Sequence, residues 1–174
     1  MLFRSLLNDE NIATDDIKRV DVETYKIAAE HAHTGWDDFA SAQLSFPYLM
    51  GLAARFRGIK FAHFDEQTRR DPAFAAFAKK LTISAPPEID QLYPRLRPAR
   101  VTVTTARGSF TRQADEALGS RLVPLDDAGL NEKFLGLAAP VLGDKIAKDL
   151  SARLWAIEKI VDVAGLIEAM AKPA

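Results

Sequence analysis

Few side chains in this 174-residue sequence have the type and spacing to do chemistry. His31 and His33 are two apart, which on a strand would put both rings on one face about 7 Å from each other. With Asp37 or Asp38 as a third ligand they would suit a metal ion. The plainer alternative, polar residues of a solvated loop, carries more weight. His63 stands beside Phe61 and Phe64 and reads as a packed or half-buried histidine. Asp37-Asp38 and Asp126-Asp127 are adjacent carboxylates. Neighbours in sequence point apart, and both pairs precede helical patterns, so capping explains them better than acid–base work. Tyr48 is the strongest candidate. It falls in the first turn of an apolar helix, where a phenol could donate to a carboxylate while its ring packs. A core tyrosine with its hydroxyl satisfied internally remains the alternative. Gln43 and Ser45 stand at the same helix N-terminus, where polar side chains and free amides could face an anion.

The element that positions these residues is predicted between Ser41 and Gly58. Ser45 is the expected N-cap, Pro47 fits the first turn, and Leu49, Leu52, Ala53 and Phe56 form one helical stripe. Gly58 is the expected left-handed cap. Upstream, Leu2, Phe3, Leu6 and Leu7 share one face of a short helix, Thr14-Asp15-Asp16 is turn-like, and Val20, Val22 and Thr24 alternate as a half-buried strand. His31 to Phe39 reads as a polar loop and Ile59 to Gln67 as irregular. Asp71-Pro72 starts a helix with Phe74, Phe77, Ala78 and Leu81 inward, and Leu81 to Ala85 begins a strand that Pro86-Pro87 stops. Val101, Val103 and Thr105 alternate before Ala106-Arg107-Gly108-Ser109, which predicts a hairpin continuing through Phe110, Arg112 and Ala114. Three helices follow, the first two separated by Pro140 and Gly143, the third capped by Asp162.

Strands and helices do not alternate one to one, which favours an α+β fold over a doubly wound parallel sheet. We expect a mostly antiparallel sheet of about four strands, with helices packed on one face, in a single domain over residues 1–174. A formal net charge of −1 gives no electrostatic case for nucleic acid or membrane. No apolar run approaches the roughly 18 residues of a bilayer span. The chain has no cysteine, which removes disulfides, thiolate catalysis and zinc–sulfur sites. No H-E-x-x-H, glycine-rich phosphate loop or G-x-S-x-G elbow is present. A soluble cytoplasmic protein is expected. The basic stretch holding Arg95, Arg97, Arg100, Arg107 and Arg112 could steer a polycarboxylate, although a solvated face explains it more simply.

Four segments, in order, carry a resemblance. AQLSFPY (42–48) resembles the A-Q-F-S-x-x-Y segment of the MmgE/PrpD family. DPAFAAFAKKLTI (71–83), RPARVTVTTARGSFTR (97–112) and GSRLVPLDDAGLNEKFLGLA (119–138) follow as the family's helix–strand, hairpin and G-x-x-x-N-P-L-x-x-x-x-L-x-x-K-F segments do. The resemblance implies the C-terminal α+β domain, likened to chorismate mutase, of a lyase or isomerase acting on di- and tricarboxylates such as methylcitrate, cis-aconitate or iminodisuccinate. It implies no metal or organic cofactor. It assigns Gln43, Ser45 and Tyr48 to the substrate cleft, with Tyr48 donating a hydrogen bond as charge develops. The proton carriers should lie mostly in a helical N-terminal domain and a lysine-proline segment with a histidine, neither expected within this chain. Inactivity alone, a helical partner domain or subunit, an exposed apolar patch near Tyr48 and homo-oligomers that cover it are the corresponding expectations. The rival expectation is a stand-alone assembly or small-acid-binding module that kept the fold without catalysis.

Overall fold

Alternation in RVDVET builds the inner strand of the sheet, β1 (Arg19–Thr24), with Val20, Val22 and Thr24 buried. In the computed structural model, which describes residues 2–171, β1 pairs in parallel with β2 (Leu81–Ser84) and antiparallel with β3 (Ala99–Thr105). β4 (Gly108–Ala114) completes the sheet in the order β2-β1-β3-β4. Two residues, Ala106 and Arg107, join β3 to β4. Gly108 follows at φ +129°, a conformation that side chains with a Cβ rarely adopt. The described residues divide into two compact units after Val123, and the whole sheet belongs to the first.

Seven helices accompany the sheet among the described residues of this unit: α1 (Leu2–Asp9), α2 (Lys26–Ala29), α3 (Phe39–Leu44), α4 (Phe46–Phe56), α5 (Glu66–Arg69), α6 (Pro72–Ala78) and α7 (Pro87–Asp90). One face of the sheet, with Val20, Val22, Val101 and Val103, is covered by Phe3, Leu6 and Leu7 of α1, Met50, Ala53 and Ala54 of α4, and Phe77 of α6. Burying each large side chain of this set is worth about 2 kcal/mol. The opposite face is polar: Arg19 pairs with Asp21 at 2.6 Å, Arg100 with Glu23 at 3.3 Å, and Thr102 with Thr111 at 2.9 Å. The fold is therefore α+β, with a mostly antiparallel four-stranded sheet and helices on one side.

Three local expectations change. α4 ends on Arg57 at φ +54°, not on Gly58, and the Arg57 guanidinium donates to the Ile12 carbonyl, holding the residue in that left-handed turn. The stripe expected along α4 is too narrow. Met50, Ala53 and Ala54 meet the sheet core, while Tyr48 and Leu52 enter a second cluster, so the helix is buried on two sides and Phe56 lies at the edge. Neither expected loop is irregular throughout. Lys26–His33 forms α2 and a 3-10 turn, and Phe61–Phe64 another 3-10 turn, so His31 and His33 do not share the strand spacing of a metal pair.

The second unit holds α8 (Asp127–Leu142), α9 (Asp144–Trp155) and α10 (Ala164–Met170). Asp126 caps α8 by accepting from Gly129 N–H at 2.8 Å, and Asp162 accepts from Ala164 N–H at 2.9 Å. Pro140 lies inside α8 instead of ending it; the break falls at Gly143, φ +83°. No residue of α8 is fully buried, and Leu130, Leu137 and Val141 are exposed along one of its faces. Among the described residues no helix is long and apolar enough to cross a membrane.

Candidate functional site

The site grows from two consecutive helix starts. Asp38 begins α3 with a reciprocal capping box: its carboxylate accepts from Ser41 N–H at 2.9 Å, and Asp38 N–H donates to Ser41 Oγ at 3.3 Å. These bonds hold the Asp38 carboxyl below its ordinary range, the backbone bond from Ser41 foremost. Ser45 begins α4 six residues after α3 starts, and Pro47 supplies no amide where none is needed. Ser45 Oγ accepts from Tyr48 N–H at 3.4 Å and donates to the Thr34 carbonyl at 2.7 Å, which ties the helix start to the preceding turn. Gln43 is exposed on α3, its amide donating to Phe39 O at 3.4 Å.

Tyr48 is at 0% exposure. Its ring meets Trp36 at 6.0 Å, Phe64 at 6.1 Å and Phe74 at 5.0 Å, the last two edge-on, as aromatic quadrupoles favour. Its hydroxyl donates to the His63 carbonyl across 15 positions of sequence. Burial, with Asp65 adding and Arg69 opposing, pushes the phenol above its ordinary value, so it stays a donor. Gly51, one turn along α4, lets this cluster close: a Cβ there would come within 2.8 Å of Phe74 Cδ1. Tyr48 and Ser45 thus form a floor sealed from solvent, while Gln43 is exposed.

Above that floor the rings become accessible. Phe39 packs edge-on against Phe61 at 5.5 Å and Phe64 at 5.9 Å, yet Phe61 is 68% and Phe39 43% exposed. Phe56, 42% exposed, is stacked on the His63 ring at 4.3 Å. Leu44 and Ile59 are also exposed nearby in sequence. Arg69 fastens the rim: Nε donates to Phe64 O at 3.0 Å and Nη1 to the carbonyls of Trp36 and Asp37. Asp65 caps α5 through Thr68, whose side-chain bond is the largest influence drawing the Asp65 carboxyl down. Asp71 caps α6 at Ala73 N–H, 2.8 Å, and pairs with Arg55. Both act first on its carboxyl, which is likewise drawn down.

The other sequence candidates are engaged elsewhere. Arg100 and Arg112 pair with Glu23 and Asp9, and Arg107 donates to the carbonyls of Glu10 at 2.8 Å and Asn11 at 3.2 Å. Those three arginines are therefore paired or bonded within the protein instead of gathered round a cleft. His31 Nδ1 lies 3.4 Å from Thr34 Oγ1. Among the described residues no group of three or more histidines, aspartates or glutamates is placed to hold a metal ion. His63 is the residue that sequence reasoning undervalued. Its two phenylalanine neighbours signalled packing, but not that it would stand at the rim directly above Tyr48.

The sequence profile described as the MmgE/PrpD C-terminal domain matches residues 2–157. This chain belongs to the MmgE/PrpD family. It is also 24% identical over 181 residues to a cis-aconitate decarboxylase of Aspergillus terreus, an alignment covering 98% of this chain and 36% of that protein. The chain therefore spans little more than a third of the curated relative's length, and the match runs across both units. The helix start with Gln43, Ser45 and Tyr48 lies within the matched region, as does the ring cluster around it.

Proposed function

We propose that this MmgE/PrpD C-terminal domain supplies one wall of a pocket for a di- or tricarboxylate in a lyase or isomerase. The rest of the pocket would come from a helical domain or subunit of the same family. The observation that carries this reading is the partly open ring cluster over Tyr48: a closed floor, a rim of Phe39, Phe56 and Phe61, and a polar side chain, Gln43, on the neighbouring helix. A contiguous patch of exposed rings marks a surface suited to a ligand or partner. A relative named cis-aconitate decarboxylase supports an unsaturated tricarboxylate as the first acid to test.

Gln43, Ser45 and Tyr48 are the residues proposed for the substrate side. Gln43 acts by direct contact, and Ser45 and Tyr48 act as positioning residues through the turn that they hold. Removing or delivering a proton beside a carboxylate needs a base within about 3 Å of the carbon acid. Tyr48, a protonated donor occupied by the His63 carbonyl, does not supply one. Turnover is therefore proposed to require the partner, and self-association to cover the rim in its absence. The cytoplasm is the proposed location, consistent with the lack of cysteine.

The experiment is an assay of the chain with cis-aconitate and 2-methylcitrate, alone and mixed with a helical N-terminal domain of the family. No turnover alone and turnover in the mixture are expected; turnover by the chain alone overturns the reading. One observation favours the rival, a non-catalytic acid-binding or assembly module: the Tyr48 hydroxyl is already satisfied inside the protein. On that reading the mixture stays inert while the acid still binds.

A further inference from the structure

We infer that His63 is a ligand-facing hydrogen-bond donor of this site, held uncharged with its proton on Nε2 and positioned by Tyr48. The inference rests on the proposed acid pocket and names a residue that the family resemblance did not assign. Its first support is geometric. Lys60 N–H points at His63 Nδ1 at 3.1 Å. A backbone amide can only donate, so Nδ1 must be the acceptor, and in a neutral imidazole the proton then sits on Nε2. Charging the ring would put a second N–H on Nδ1, facing the Lys60 amide, and would break that bond.

The second support is placement. The ring is stacked on Phe56 at 4.3 Å, and its own carbonyl is fixed from below by the Tyr48 hydroxyl. Nε2 has no partner among the described residues. His63 is half-buried, and Nε2 is not among the fully buried side-chain atoms left unpartnered in the described residues, which belong to Arg57, Arg100 and Glu116. Burial, followed by the nearby Lys60 charge, holds the imidazole below its ordinary value, with Asp65 opposing. A neutral imidazole suits a carboxylate or developing enolate oxygen as a donor that needs no proton uptake. His63 so placed is an electrophilic contact for an organic acid, not its base.

The test is long-range proton–nitrogen NMR on the uniformly labelled whole chain, read at the three histidines and across the backbone amides, with cis-aconitate as the probe. Without acid, His63 is expected as the Nε2–H form at pH 7. With acid, its signals should shift saturably and its titration should move to higher pH, since a bound carboxylate favours the charged ring; His31 and His33 should not respond. His63→Gln, which keeps an N–H near the Nε2 position, should retain binding, whereas His63→Phe should weaken it about tenfold, the worth of one bond to a charged group. Tyr48→Phe, with unchanged backbone spectra away from the turn, should alter the His63 ring signals and weaken binding less than His63→Phe. An Nδ1–H or charged ring at pH 7 overturns the inference. So does a saturable acid response elsewhere that leaves His63 unmoved, and in that case the pocket itself survives. No response anywhere overturns the inference together with the acid-binding part of the proposed function. If His63→Phe fails to fold, the wild-type and Gln chains still decide.

Discussion

α4 separates two packed regions that could hardly differ more. On the sheet side its partners are aliphatic, with Phe3 and Phe77, and the cluster is closed, each core member buried. On the other side Tyr48, Leu52, Phe74 and Ala42 are just as deeply buried, but the rings stacked above them open to solvent. A closed, largely aliphatic core holds the fold. An aromatic cluster sealed below and open above holds the fold and also leaves a surface that a ligand or partner can use.

The comparison is sharpened most by truncating the closed side. Phe3→Ala should cost about 3–5 kcal/mol, because it removes a fully buried ring from a closed core and leaves a cavity; urea unfolding at neutral pH checks it. Gly51→Ala comes next. It pushes a methyl against Phe74 from a Cβ position 2.8 Å away, so a loss of about 1–3 kcal/mol is expected by the same measurement. Tyr48→Phe keeps the ring and deletes the bond to the His63 carbonyl, with an expected loss of about 1 kcal/mol.

The pH dependence is smaller and has a fixed sign. His63 has a native-state pKa below its ordinary 6.5, so the unfolded chain binds this proton more readily. Its contribution to stability is complete above pH 6.5 and disappears as pH falls through the native value. His63→Gln should flatten that part of the stability profile, leaving the lower decline from Asp38, Asp65 and Asp71, which starts near 3.8. The smallest effect on stability belongs to the rim. Phe61→Ser, at a 68% exposed position, should change unfolding by less than about 0.5 kcal/mol yet reduce self-association in a sedimentation run at high concentration. A large destabilisation instead would mean that the rim belongs to the core, and the contrast between the two sides of α4 would fail.

Much of this was legible from residue types. Ser45 and Pro47 start α4, Asp71-Pro72 starts α6, and Gly108 turns the hairpin, because caps, prolines and positive-φ glycines act locally. The left-handed Arg57 was not legible, since a hydrogen bond to Ile12, far away in sequence, holds it. Nor was the parallel pairing of β1 with β2, because alternation shows that a strand has two faces and not which strand lies beside it. At the site, Tyr48 stood out by type and position, but its partner is a carbonyl 15 residues on. The form of His63 depends on a single backbone amide whose direction follows only from the 3-10 turn at Phe61–Phe64. The second unit shows a different gap. Periodicity finds α8, but it does not tell which of its apolar residues stay exposed, as Leu130, Leu137 and Val141 do.

The most direct measurement is consumption of cis-aconitate by the purified chain, first alone and then after addition of a helical N-terminal domain from the same family. Silence alone and turnover on mixing, diminished by Tyr48→Phe, is the predicted result. Steady turnover by the isolated chain would contradict it, because the wall described here would then be carrying the base as well.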